Sequence, residues 1–275
     1  MTPDTSLVVA TCASAAAGFV NSIAGGGGLV SIPILLGLYP AAPPAALFGT
    51  NKAAMVCGTL QAAGSYGRHV RLPWSMLVPA IGAAVAGGVA GAGLVTLVSS
   101  AWLRPLLPVM LGLVLVHTLL RREAGREHAP RFSPWAEAAA GSAIAGGLGL
   151  YDGFFGPGTG SFLIHLLVRT LGFDFLHAVA CAKILNAATN LGALGTFAWT
   201  GNVLWILALP MAVANVAGSW LGSRLALRHG SGFVRAVFVA VVAALVLKTA
   251  YDAYLATPTL PGADLPFRTT ARIAS

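Results

Sequence analysis

The sequence predicts an all-α polytopic membrane protein, and three observations carry that expectation. The 275 residues are 57% hydrophobic and only 9% charged, with a mean hydropathy of +0.81, well beyond what one soluble core of this length needs. The apolar residues fall into runs long enough for helical crossings of a bilayer, each of which takes about 20 residues. The arginines cluster in short segments between those runs. The net charge of +8 and the pI near 10.0 therefore read as the positive-inside pattern, not as a basic groove for nucleic acid.

Taken in order, the opening MTPDTSLVVA has no basic stretch ahead of its apolar run, so it reads as a first membrane helix and not as a cleaved signal. Eight long apolar segments follow one another at 5–23, 45–66, 74–98, 102–120, 135–154, 175–199, 203–224 and 233–255. Two further apolar pieces, 29–39 and 159–172, are too short to cross comfortably alone, and each follows a glycine cluster: Gly25 to Gly28, and Gly156-Pro157-Gly158-Thr159-Gly160. Glycine and proline weaken a helix interior, and a membrane tolerates irregular backbone only where protein or a wet cavity surrounds it. The fold class is thus about eight long transmembrane helices plus two half-helices after glycine-rich breaks. Cys12, Cys57 and Cys181 lie in apolar segments without a CxxC spacing, which predicts neither a disulfide framework nor a metal site.

The two halves of the chain resemble each other. A shift of 131 residues superposes Lys52 on Lys183, Gly64 on Gly195, Trp74 on Trp205, Pro79 on Pro210, Gly87 on Gly218 and Gly91 on Gly222. Across the glycine clusters the shift becomes 132, placing Gly26 on Gly158 and Gly28 on Gly160. Such duplication is a common construction of secondary transporters. The expected organisation is an N-terminal repeat over 1–120, a basic cytoplasmic linker over 121–134, a C-terminal repeat over 135–255 and a tail over 256–275. If the short pieces only dip into the membrane, the 13 arginines divide 8 to 5 between its sides; if they complete crossings, each half has five passes, the halves are inverted and the division is 10 to 3. The second arrangement fits positive-inside better and puts both termini outside.

Few residues in the apolar runs can carry chemistry. A charge in mid-membrane costs about 2.5–3.5 kcal/mol by insertion scales, so each needs a reason. Lys52 and Lys183, related by the repeat, suit an anion if they face a shared cavity, although long side chains near helix ends also snorkel to the interface. The half-helices point the same way. A helix beginning at a glycine cluster aims unpaired N–H groups and its positive dipole end at mid-membrane, which nominates Gly26, Gly27 and Gly28 with Gly158, Thr159, Gly160 and the hydroxyl of Ser161. Asn186 and Asn190 are four apart on one helical face, with Lys183 close to that face, and Asn51, Gln61 and Asn21 are looser counterparts in the first half. Asp152 stands beside a glycine cluster, where it is a candidate to take a coupling proton or to pair with a lysine; His165 is a second candidate for proton coupling.

The runs GFVNSIAGGGGLVSIPILLGLYP and ALFGTNKAA, echoed by GFFGPGTGSFLI and AVACAKILNAATN, resemble the sulfite exporter TauE/SafE family, also described as toluene-sulfonate uptake permeases, over nearly the whole chain. The resemblance implies a transporter for sulfite, sulfonates or related sulfur-containing anions in a bacterial inner membrane. The sequence departs from its own repeat at His165, which stands where the first half has Pro33, and at Pro157, which interrupts the second cluster. The expected function is secondary transport of a small anion by alternating access, with no enzymatic step, cofactor or metal. The expected partners are that anion and the lipid bilayer, with no nucleic acid and a homo-oligomer left open. Two rivals are an anion channel and, more remotely, an intramembrane hydrolase built on Ser161 and His165, four apart on one helical face.

Overall fold

The computed structural model describes residues 3–98, Leu103 and 131–255, with side chains up to Gly230. Every regular element among them is helical. The elements are α1 (Pro3–Ala24), α2 (Gly27–Leu38), α3 (Pro44–Gly67), α4 (Trp74–Leu97), α5 (Pro134–Phe154), α6 (Thr159–Leu166), a π-helical turn (Leu167–Leu171), α7 (Phe175–Trp199) and α8 (Trp205–Leu255). The predicted segment 102–120 apart from Leu103, most of the linker and the tail lie outside the described residues. The segments predicted at 203–224 and 233–255 meet in α8, whose backbone breaks at Gly230 (φ 72°, ψ −169°).

Local chemistry accounts for the boundaries. Pro44 opens α3 and Pro134 opens α5 in first-turn positions where a missing N–H costs nothing. Asp174 caps α7 by accepting from the His177 N–H at 2.9 Å. The long helices α1 and α5 both end at a glycine in the left-handed region, Gly25 (φ 81°) and Gly156 (φ 96°), 131 residues apart. Each break then opens a short helix: α2 has 12 residues, and α6 has 8 before its π turn.

By length and composition three helices can cross a membrane, Asp4–Ile23, Trp74–Leu97 and Trp205–Gly230. The remaining long helices, α3, α5 and α7, have 24, 21 and 25 residues, and they carry Asn51, Lys52, Asp152, Lys183, Asn186 and Asn190, all buried. The outer surface is inverted relative to a soluble protein. Ile206, Val213 and Leu97 are exposed while Lys52, Lys183, Asp152 and five asparagines among the described residues are buried. Exposed tryptophans stand at helix ends, Trp74 and Trp205 at the starts of α4 and α8, Trp135 at the start of α5 and Trp199 at the end of α7, where an amphipathic ring suits the headgroup level.

Small residues set the packing, and the contacts recur in pairs 131 residues apart. α1 lies on α8, and α5 lies on α4. A side chain at Gly18 would run into the Asn215 carbonyl, and one at Gly149 into the Ala84 carbonyl; Gly218 faces the Ala15 carbonyl as Gly87 faces that of Gly146; Gly222 faces the Phe19 carbonyl as Gly91 faces that of Leu150. Such close backbone approach replaces the hydrophobic drive that helices lack inside lipid. The register read from the sequence is therefore also the register of the packed interfaces.

Candidate functional site

The site is assembled where the two glycine breaks meet. A side chain at Gly25 would overlap the Gly160 backbone, and one at Gly160 would lie 2.6 Å from the Gly25 Cα. Pro157 packs on Gly28 in the same way, 3.2 Å from a Cβ built there, so the proline that interrupts the second cluster forms part of this crossing. Tyr151 donates its hydroxyl to the Pro157 carbonyl at 2.7 Å and holds the second break in shape.

Around the crossing lies a cavity lined by Asn21, Gly25, Gly28, Asn51, Lys52, Met55, Asp152, Gly156, Gly160, Asn186 and Asn190. α3 supplies Asn51, Lys52 and Met55; α7 supplies Asn186 and Asn190; the breaks supply backbone. Gly28 and Gly160 are each the second residue of their short helix, where first-turn N–H groups lack partners within the helix and the dipole is positive. The cavity wall thus offers cationic, amide and oriented backbone donors to an anion.

The two lysines cross between the halves. Lys52, 4% exposed, reaches from α3 to the last turn of α5, where its Nζ is 2.8 Å from Asp152 Oδ2. The Thr189 hydroxyl on α7 donates to the same carboxylate oxygen at 2.5 Å, and Asn186 Nδ2 approaches Thr189 Oγ1 at 3.4 Å. Lys183, fully buried, reaches from α7 to the last turn of α1 and donates to the Asn21 carbonyl. Asn21 in turn donates its amide to Thr59 Oγ1 on α3 at 3.1 Å. Residue 152 is residue 21 displaced by 131, as 183 is 52 displaced by 131. Each lysine of one half is therefore held by the equivalent helix end of the other.

Both lysines are buried, so neither snorkels. The cavity brings together Lys52, Asn51, Asn186, Asn190, Gly28, Gly160 and Asp152 of the nominated residues. Lys183 lies behind the wall, against Asn21. Gly26, Gly27, Gly158, Thr159, Ser161 and His165 do not line the cavity. Thr159 donates its hydroxyl back to the Gly156 carbonyl at 2.8 Å, Gly27 is wedged against Ala17 and Asn21, and Ser161 and His165 are half-buried. Of the two roles open to Asp152, pairing with a lysine is the one the geometry displays. Of the other lining residues, Gly25 and Gly156 belong to the two glycine clusters and Asn21 to the loose amide set of the first half. Met55, which falls on Asn186 in the register of 131, carries no chemical signal of its own.

Other polar groups serve packing. Ser31 donates to Asn51 Oδ1 at 2.6 Å and fixes that amide. Asn215 donates to the Ser14 carbonyl at 2.9 Å and ties α8 to α1. Among the described residues no three His, Cys, Asp or Glu side chains stand together as metal ligands.

Comparison with known proteins agrees with this architecture. Residues 10–249 match the family described as Sulfite exporter TauE/SafE. The chain is 36% identical over 246 residues to "Probable membrane transporter protein ORF9" of Sinorhizobium sp, covering 89% of this chain and 90% of that one. It is 37% identical over 242 residues to "Probable membrane transporter protein YfcA" of Escherichia coli strain K12, covering 86% and 87%. A "Probable membrane transporter protein" of Haemophilus influenzae is 31% identical over 250 residues, covering 90% and 95%. No solved structure matches. With a family match across the helices that build the cavity, the chain belongs to the sulfite exporter TauE/SafE family.

Proposed function

We propose that this protein is a multi-pass secondary transporter of the bacterial inner membrane that carries a small sulfur-containing anion, sulfite, a sulfonate or a related organic anion, by alternating access. One observation carries the reading: two buried lysines, one from each half, stand at a central cavity, Lys52 in its wall and Lys183 behind it, and the wall's other donors are asparagine amides and the first turns of two short helices. Among the described residues two buried ammonium groups stand against one buried carboxylate, an imbalance that a bound anion corrects in a medium where an uncompensated charge is expensive. The asparagines orient the oxyanion and the helix starts supply donors without adding charge. The sulfur-containing class is favoured by the family description.

Alternating access has a natural substrate here. The packing of α1 on α8 and α5 on α4 recurs at a spacing of 131, which favours two structural repeats, 1–120 and 135–255, rocking about the crossing of the breaks, and the 10 to 3 division of arginines favours their being inverted. In this arrangement each half makes five passes, the linker 121–134 is cytoplasmic, and both termini are outside. A channel would need a continuous wet path, whereas the glycine breaks meet in direct contact.

Uptake of labelled sulfite and methanesulfonate into proteoliposomes tests this reading. Saturable uptake of at least one is expected, and comparison with and without a pH gradient reports whether a proton moves with it. A flux that rises without saturation makes the protein a channel, and no flux of either anion overturns the substrate class.

A further inference from the structure

The two cross-braces are built alike but are charged differently. Lys52 meets the side chain of Asp152, whereas Lys183 meets the backbone carbonyl of Asn21 and, among the described residues, no carboxylate, and residues 21 and 152 are equivalent positions of the two halves. One half carries a carboxylate where the other carries an isosteric amide. Packing does not call for the difference, because Asn and Asp have nearly the same shape. Its effect is to neutralise one cation and leave the other without a carboxylate. Among the residues whose side chains are described, the arginines Arg68, Arg71, Arg131, Arg169, Arg224 and Arg228 are all exposed, outside this buried set.

We infer that Asp152 selects the valence of the transported anion, holding the core at one net positive charge so that the site takes monovalent oxyanions, such as a sulfonate or hydrogen sulfite, in preference to dianions of the same shape. The inference rests on the anion-transport reading above. A monoanion beside Lys52, Asp152 and Lys183 leaves the buried cluster neutral. A dianion leaves it with an unmatched negative charge, which a water-poor interior penalises heavily. Geometry alone cannot make this discrimination, since methanesulfonate and sulfate are both tetrahedral sulfur centres of similar size. Charge is what separates them, and the residue that sets the charge is the one that breaks the symmetry of the repeat.

The test compares kcat/KM for methanesulfonate and sulfate, whose charges are fixed at neutral pH, in proteoliposomes holding the full chain. The wild type is expected to favour methanesulfonate by more than about tenfold. Asp152→Asn removes the carboxylate and is expected to move the ratio toward sulfate by more than about tenfold. The double variant Asn21→Asp with Asp152→Asn transfers the carboxylate to the other half, restores the single net charge and is expected to recover the methanesulfonate preference. Asn21→Asp alone brings the core to zero and is expected to lose uptake of both anions. If Asp152→Asn fails to fold, the double variant and Asn21→Asp carry the test. A wild type that moves both anions equally, an unmoved ratio in Asp152→Asn, or full methanesulfonate uptake by Asn21→Asp overturns valence selection while anion transport stands. If the wild type moves neither anion and does not move sulfite, the transport reading falls and the inference with it.

Discussion

Lys183→Met is expected to abolish anion uptake, by about 100-fold or more in kcat/KM, while leaving the protein as stable as the wild type or more so. The two halves of that expectation come from one fact. Lys183 is fully buried and its partner is a carbonyl at the end of α1. A buried ammonium without a carboxylate costs desolvation energy that a single carbonyl offsets only in part. Methionine fills much of the same volume without that cost. Uptake falls because the remaining pair, Lys52 with Asp152, is neutral and offers no net attraction to an anion. Thermal unfolding in detergent beside proteoliposome uptake checks both. A variant that transports normally removes Lys183 from the site, and one that neither folds nor transports makes it a structural strut.

The same substitution in the other half is expected to act on stability in the opposite direction. Lys52→Met leaves Asp152 buried, 2% exposed, with the Thr189 hydroxyl but no cation. Removing one partner of a buried ion pair costs about 3–5 kcal/mol because the other charge is left uncompensated. Replacing both, as Lys52→Met with Asp152→Leu, is expected to recover most of that loss, since apolar residues of similar volume substitute well for a buried pair. Uptake is lost in both variants, because Lys52 is the cation in the cavity wall and Lys183, behind the wall, does not replace it. The contrast between two lysines at equivalent repeat positions, one stabilising through its pair and one destabilising without one, is read directly by the unfolding temperatures of the four proteins. Equal loss of stability in Lys52→Met and Lys183→Met would mean that their different partners carry no weight.

Much of this arrangement is legible in the chain itself. Every apolar run predicted within the described residues is a helix, because runs of that length have no other way to satisfy their backbone in lipid. The two breaks are legible because glycine is the residue that adopts the positive φ found at Gly25 and Gly156. The register of 131 is legible because Lys, Trp and Pro are rare enough in this composition for their coincidence to mean duplication.

What sequence did not reveal is where each lysine points. Spacing along α7 puts Lys183 near the face of Asn186 and Asn190, and all three were expected at one wall; a four-carbon side chain instead carries the charge past that wall to α1. Spacing within a helix cannot show that the partner comes from the other half. Nor can it separate a glycine that lines a cavity from one that only lets backbones touch: Gly28 and Gly160 line the cavity as well as packing at the crossing, Gly27 only packs, and all three sit in the same motifs. Met55 was invisible for a simpler reason, since a thioether in a polar cavity has no motif.

The central claim is that the anion occupies the cavity at the crossing of the breaks. Its most direct test places a cysteine there. Met55 lines the cavity and is not asked to bind the substrate by charge or hydrogen bond. Met55→Cys, in a chain whose Cys12, Cys57 and Cys181 are replaced by alanine, offers a single thiol at the site. The measurement is its rate of maleimide labelling in transport-active proteoliposomes, with and without saturating methanesulfonate. The account predicts slower labelling when the anion is present, and restoration of the free rate when Lys183→Met is added. Labelling at the same rate with and without anion, in liposomes that transport it, would contradict the account and put the binding site elsewhere.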